Sequence, residues 1–165
     1  MNENSFKGEK MKKIFTALGL SIVLSSSLFA ISGPYADVFI SQVKKNAKYV
    51  KYITPQTLNK WIEEDRDFAI LDVREPDEWH AGEIDWPEYY EIPRGFADVM
   101  AAKGALNPKK VYVVVCATGG RATLVGGELV KLYNFKNVYV LKGGIKKWLK
   151  DGYYVINKLG ELKAR

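Results

Sequence analysis

Residues 111–116, VYVVVC, are six apolar residues in succession, and they constrain the chain more than any other stretch. A strand with one wet face alternates polar and apolar side chains, so an unbroken apolar run has to be covered on both faces. Strands of that kind belong to parallel sheets between helical layers, because the crossover between parallel neighbours is usually a helix. The rest of the chain supplies the alternation this requires. YVKYI (49–53) reads as a short strand. TPQTLNKWIEED (54–65) reads as a helix with Thr54 as N-cap, Pro55 in the first helical position, and Leu58, Trp61 and Ile62 on one face. FAILDV (68–73) is a second apolar strand, and EPDEWHAG (75–82) a short helix stopped by glycine. YYEIP (89–93) gives a short strand and GFADVMAAKGAL (95–106) a helix. Beyond the cysteine, RATLVGGELVKLYNF (121–135) puts Ala122, Val125, Leu129 and Leu132 on one helical stripe. NVYVLKGG (137–144) is a last strand and turn, and IKKWLKDG (145–152) a last helix. The expected fold is α/β, with a central, mainly parallel sheet of about five strands flanked by helices on both faces.

A chain of 165 residues suggests a single domain. The net charge is +6, of which Lys7, Lys10, Lys12 and Lys13 against Glu3 and Glu9 account for two. The remaining excess is scattered along the chain, which argues against nucleic acid as a partner. The N-terminus reads as an address. GEKMKK (8–13) is a basic patch, and IFTALGLSIVLSSSLFAI (14–31) follows without a charge. A basic region, an apolar stretch and a small-residue exit are the parts of a secretory signal, cleaved here after Ala30 or Ser32. The alternative is an uncleaved membrane anchor, for which the four serines make a poor span. Residues 1–32 are thus expected to export the chain, to the periplasm if its source is bacterial, with membrane contact only if the leader is retained.

Export sharpens the meaning of Cys116, the sole cysteine. Oxidising compartments favour paired cysteines or none, so one thiol is either reactive, bound to another molecule, or inert and buried. With one histidine beside it, it cannot make a zinc site, and no metal or cofactor is implied. Position and neighbours favour reactivity. In an open parallel sheet, chemistry gathers beyond the carboxyl ends of the strands, where both Cys116 and Asp72 stand. The turn Ala117, Thr118, Gly119, Gly120 leads straight into a helix beginning near Arg121. Its glycines let backbone N–H groups converge on one point, and the helix start adds partial positive charge there. Arg121 adds a permanent charge, either in the pocket or as a brace for the loop. Together these favour thiolate over thiol. The competing reading is a plain buried cysteine ending a strand, which would need neither the glycines nor the arginine.

These residues resemble the active-site loop of rhodanese domains, a six-residue loop that begins with cysteine and ends with arginine followed by a small residue. Here it is Cys116 to Arg121, then Ala122. ILDVREPDEWHAGEI (70–84) is similar to the family's first signature, and VYVLKGGIKKWLKDGYYV (138–155) to its closing one. The three occur in the family's order. The resemblance covers about 48–156 and leaves 157–165 as a C-terminal tail. It implies a sulfurtransferase in which Cys116 takes a sulfane sulfur from a small anionic donor such as thiosulfate. The persulfide then yields that sulfur to a thiol, to cyanide, or to a protein acceptor. Asp72 and Arg74 match the first signature, and buttressing is the role expected of them.

Two other classes stay open. One is a non-enzymatic sulfur carrier or interaction module. The other is a phosphatase or arsenate reductase of the same fold, whose phosphatase loop has one more residue between cysteine and arginine than the four found here. Glu83 and Ala117 depart from the family pattern, and Ala117 puts the preference for thiosulfate in question. His80 reads as a surface residue. Gly126 and Gly127, unfavourable inside a helix, point to close approach of that helix to the sheet. DWPEYYEIPRGF (85–96) reads as core more than as a wall over the pocket, and Trp148, Tyr153 and Tyr154 as structural.

Overall fold

The computed structural model describes residues 32–163. Its elements run α1 (Ala36–Ala47), β1 (Lys51–Ile53), α2 (Pro55–Glu63), β2 (Ala69–Asp72), α3 (Pro76–His80), β3 (Tyr89–Glu91) and, after a 3-10 turn at Arg94–Phe96, α4 (Ala97–Ala102). They continue with β4 (Val111–Val115), α5 (Gly120–Tyr133), β5 (Asn137–Leu141), α6 (Gly144–Lys150), β6 (Val155–Asn157) and β7 (Gly160–Leu162). The leader expected over residues 1–32 falls, but for Ser32, outside the described residues. No helix among the described residues is long and apolar enough to cross a membrane.

Strand β4 stands in the middle of a five-stranded sheet of order β1-β5-β4-β2-β3, with every pairing parallel. That is the place its unbroken apolar run demands. Alternate residues serve two cores. Ala69, Leu71, Tyr112, Val114 and Cys116 pack with Ala97 of α4 and with Ala122, Val125 and Leu129 of α5. Ile70, Val113 and Val115 pack on the other face with Leu58 of α2 and with Ile145 and Trp148 of α6. The thiol therefore faces the α5 layer because it continues the Tyr112–Val114 register. Connections leave β2 toward β3 and leave β4 toward β5, in opposite directions. The topological switch point therefore falls between the carboxyl ends of β2 and β4, the usual ligand position of such sheets.

Helix α2 starts as its sequence dictates, with the Thr57 N–H donating to Thr54 Oγ1 at 3.2 Å and Pro55 in the first position. Helix α1 is absent from the sequence reading, which began the domain at residue 48. Val43 is its one buried residue, Phe39 and Ile40 are half-buried, and the helix lies along α5. Its apolar face is too thin to stand out beside an apolar leader. The α5 stripe is corrected at its end. Leu132 is 62% exposed, because in the last turn it is Val130 and Tyr133 that face the core, before the helix closes at Asn134 in the left-handed conformation. Gly126 does mark contact with the sheet: a Cβ there would stand 3.1 Å from Val138 and 3.0 Å from Val50. Gly127 marks a different approach, to Asn46 of α1.

In the 85–96 stretch, Trp86 stacks on Phe68 with ring centroids 4.4 Å apart and donates its indole N–H to the Phe68 carbonyl. Ile92 is buried as well, whereas Tyr90 and Phe96 are exposed, so only part of the stretch is core. Trp148 stacks on Tyr153 and donates to the Tyr154 carbonyl. The segment 157–165, expected as a solvated tail, is partly structured. β6 and β7 form an antiparallel hairpin, and Ile156 exchanges two backbone hydrogen bonds with Glu83.

Candidate functional site

Cys116 follows the last residue of β4, and its side chain is 1% exposed. The next four residues turn tightly enough for two backbone donors to point back at sulfur. Gly119 N–H lies 3.1 Å and Ala122 N–H 3.4 Å from Sγ. The turn depends on Gly119, whose φ of +97° is left-handed. It serves as the N-cap of α5, so the free N–H groups of a 14-residue helix open toward the sulfur. Ala117 and Thr118 are half-buried at the crest.

The loop is also held from outside. Ile145 N–H donates to the Cys116 carbonyl at 2.9 Å, and Lys146 N–H to the Ala117 carbonyl at 3.0 Å. The first turn of α6 thus occupies the loop's carbonyls. The clamp fixes the first two peptides of the loop, and with them the start of the turn that brings the Gly119 N–H back to sulfur. Contact this close explains the glycine pair Gly143–Gly144. Gly144 is left-handed at φ +62°, and a Cβ on it would run into the Cys116 carbonyl. On the other side, Phe39 of α1 lies against Gly120, where a Cβ would stand 3.1 Å from the ring.

Arg121 does not reach into the cradle. Its guanidinium makes a two-pronged pair with the Glu78 carboxylate at 2.6 and 2.7 Å, tying α5 to α3. Glu78 is positioned in turn by Arg74, whose Nη1 donates to the Glu78 carbonyl at 2.9 Å while Nη2 donates to the Gly82 carbonyl at 2.8 Å. Arg74 is anchored on Asp72 through Nη2 to Oδ2 at 2.6 Å and Nε to Oδ2 at 2.8 Å. Tyr89 donates to the same carboxylate at 2.6 Å, its phenol proton held firmly by burial and by that negative charge. Asp72 and Arg74 are thus joined to the sulfur loop through Glu78 and Arg121, with neither touching Sγ by hydrogen bond. His80 is exposed at the end of α3. Glu83 is half-buried, and burial, then the neighbouring Glu91, raises its carboxyl above the ordinary value.

Glu78 is the site residue the sequence reading passed over. It lies inside the quoted signature, but its partner is 43 residues away and no local pattern joins them. Arg121 is the main cause that holds the Glu78 carboxyl below its ordinary value of 4.5. A carboxyl lowered in the folded state contributes fully above that value and loses the contribution as pH falls through its folded value. Glu78→Gln is therefore expected to lower stability at neutral pH by less than about 1 kcal/mol, because the pair is partly solvated. In urea titrations the deficit should shrink as pH falls below 4.5 and through the carboxyl's lowered folded value. A deficit unchanged with pH would reject the pair as its source.

The fold and the loop define a class of α/β domain with a cysteine at the carboxyl end of its central strand, at the mouth of a helix. Residues 54–151 match the family model of the rhodanese-like domain, and the chain belongs to that family. Its relatives include sulfurtransferases and other enzymes. Over 99 residues it is 33% identical to "Probable adenylyltransferase/sulfurtransferase MoeZ" of Mycobacterium tuberculosis, covering 60% of this chain and 24% of that one. It is 31% identical over 141 residues to the tRNA uridine(34) hydroxylase of Protochlamydia amoebophila, covering 75% and 44%. The chain thus spans less than half the length of either relative. Among solved structures, the polysulfide-sulfur transferase homodimer of Wolinella succinogenes superposes with a TM-score of 0.60 at 33% identity, over 79% of this chain and 91% of that one.

Proposed function

We propose that this chain is a sulfurtransferase that carries sulfane sulfur as a persulfide on Cys116. The observation that carries the reading is the convergence of the Gly119 and Ala122 N–H groups on Sγ at the start of a long helix. Such a cradle stabilises an anionic sulfur, in the attacking cysteine and in the loaded persulfide alike. In the loading step, Cys116 thiolate attacks the outer sulfur of thiosulfate. A new S–S bond forms, the donor's S–S bond breaks, and sulfite leaves with the electron pair. In the second step a thiolate or cyanide attacks the outer sulfur of Cys116–S–S⁻, and the cysteine thiolate is released. Neither step needs a general base once the thiol is ionised. Four residues between Cys116 and Arg121 make a narrow cradle, which supports a single sulfur atom over a tetrahedral phosphoryl group.

The donor has a second candidate. Polysulfide is named for the Wolinella relative, and a terminal polysulfide sulfur would load Cys116 by the same displacement, with a shortened polysulfide leaving. Acceptors of the same chemistry are small thiols, cyanide, or the thiol of a protein sulfur carrier. Incubation with thiosulfate, and separately with polysulfide, is expected to add one sulfur atom to the intact mass, removable by cyanide as thiocyanate. No adduct with either donor would reject the reading, and release of phosphate from an aryl phosphate would favour the phosphatase alternative.

We also infer export. Support comes from the basic patch 8–13 before the uncharged run 14–31, which together would carry the domain out of the cytoplasm. Fractionation that finds the full-length chain in the cytosol overturns this.

A further inference from the structure

Gly119 is held at both ends. Its N–H donates to Cys116 Sγ at 3.1 Å, while its carbonyl accepts the Thr123 N–H at 2.9 Å and the Thr123 hydroxyl at 2.8 Å. A threonine hydroxyl has one proton, and here it goes to the Gly119 carbonyl. The hydroxyl of Tyr52, 3.0 Å from Thr123 Oγ1, must then be the donor of that bond. Burial pushes the Tyr52 phenol above its ordinary value, so the proton it donates is retained. Thr123 is buried at 2% exposure, which shields both hydrogen bonds of its hydroxyl from solvent.

A threonine bonding back one turn is common in helices and by itself means little. Two features set this one apart. The acceptor is the left-handed cap residue of the sulfur loop. The rotamer is also fixed by a side chain of β1, 71 residues away in sequence. Two hydrogen bonds on the Gly119 carbonyl hold that residue in the left-handed conformation that aims its own N–H at Sγ.

We propose that Tyr52 and Thr123 are positioning residues for the chemistry of Cys116. The directed chain from the Tyr52 hydroxyl to the Thr123 hydroxyl to the Gly119 carbonyl holds the left-handed Gly119 in place, so that its N–H stays turned to sulfur. Neither side chain touches the reacting atoms. The role deepens the sulfurtransferase reading, on which it rests, by naming what keeps the cradle preorganised.

The test uses the full chain and reads the thiolate without any sulfur donor, through the rate of Cys116 alkylation by iodoacetamide across pH. Thr123→Val is expected to slow alkylation at neutral pH about fivefold and move the profile to higher pH, the loss of one hydrogen bond. Thr123→Ser keeps the hydroxyl and should stay within about twofold of the wild type. Tyr52→Phe, which keeps the ring, should give a smaller slowing in the same direction. Rates of sulfur loading from thiosulfate or polysulfide should follow the same order. A wild-type alkylation profile in both Thr123→Val and Tyr52→Phe overturns the proposal. If Thr123→Val does not fold, Tyr52→Phe alone decides. If the wild type loads no sulfur from either donor, the sulfurtransferase reading fails while the alkylation series still decides the positioning roles.

Discussion

Cys116→Ser is expected to keep the fold and to lose sulfur loading outright, a fall of at least about a thousandfold in transfer. The substitution removes the proposed nucleophile with little other change. Serine is close to cysteine in size, and its hydroxyl oxygen gives the Gly119 and Ala122 N–H groups an acceptor where Sγ now stands. Thermal unfolding should therefore move little. What serine lacks is an easily ionised group. A hydroxyl becomes a nucleophile only beside a base, and the one histidine, His80, is exposed at the far end of α3. Cys116→Ala separates the two effects. It is as inactive as serine but leaves two buried donors without an acceptor, and should be less stable by about 1–3 kcal/mol. Mass spectrometry after thiosulfate or polysulfide reads the chemistry, and urea titration the stability. A serine variant that still gains a sulfur atom would place the persulfide elsewhere or remove it from the mechanism.

The parts of this site that could be read from sequence are those carried by one continuous stretch. The apolar run up to Cys116 fixes strand, burial and position in the sheet, because each follows from the absence of polar residues. The glycines after it announce a turn, and Gly119 does take the left-handed conformation that only a turn of this kind requires. The partners lie elsewhere. Arg121 meets Glu78, Thr123 meets Tyr52, and the loop carbonyls meet the backbone of α6. Those pairings depend on β1, β2 and β5 being arranged around β4, which is sheet order and has no local signature. Helix α1 was missed for a related reason. Its buried face is one residue, Val43, with half-buried Phe39 and Ile40, so it becomes recognisable only once α5 is there to cover it. Leu132 erred in the opposite sense, since it stands at the edge of the stripe and neighbouring Tyr133 and Val130 take the core-facing positions of the last turn.

Arg74→Ala should destabilise the chain by about 3–5 kcal/mol, the usual effect of stranding one member of a buried ion pair. Asp72 is fully buried and Arg74 is 4% exposed, so water cannot replace the lost partner. The variant also abandons the Glu78 and Gly82 carbonyls that the guanidinium now serves. Against a total stability of about 5–15 kcal/mol, that is enough to leave the domain marginal. Arg74→Lys is expected to recover only part, because an ammonium cannot span the Asp72 carboxylate and two carbonyls with one planar fork. The double variant Asp72→Asn/Arg74→Met removes both charges and should be more stable than Arg74→Ala alone, since most of the single variant's deficit is the unpaired carboxylate. Urea titration of the three variants measures this order. A deficit below about 1 kcal/mol for Arg74→Ala would mean that Asp72 finds other solvation, and would reject the buried pair as a main source of stability. The same variant has a consequence at the sulfur. Arg74 positions Glu78, and Glu78 braces Arg121, so sulfur loading should slow even at temperatures where the variant remains folded. The buried pair thus acts on Cys116 through two intervening residues, and its loss should be felt in transfer rate as well as in stability.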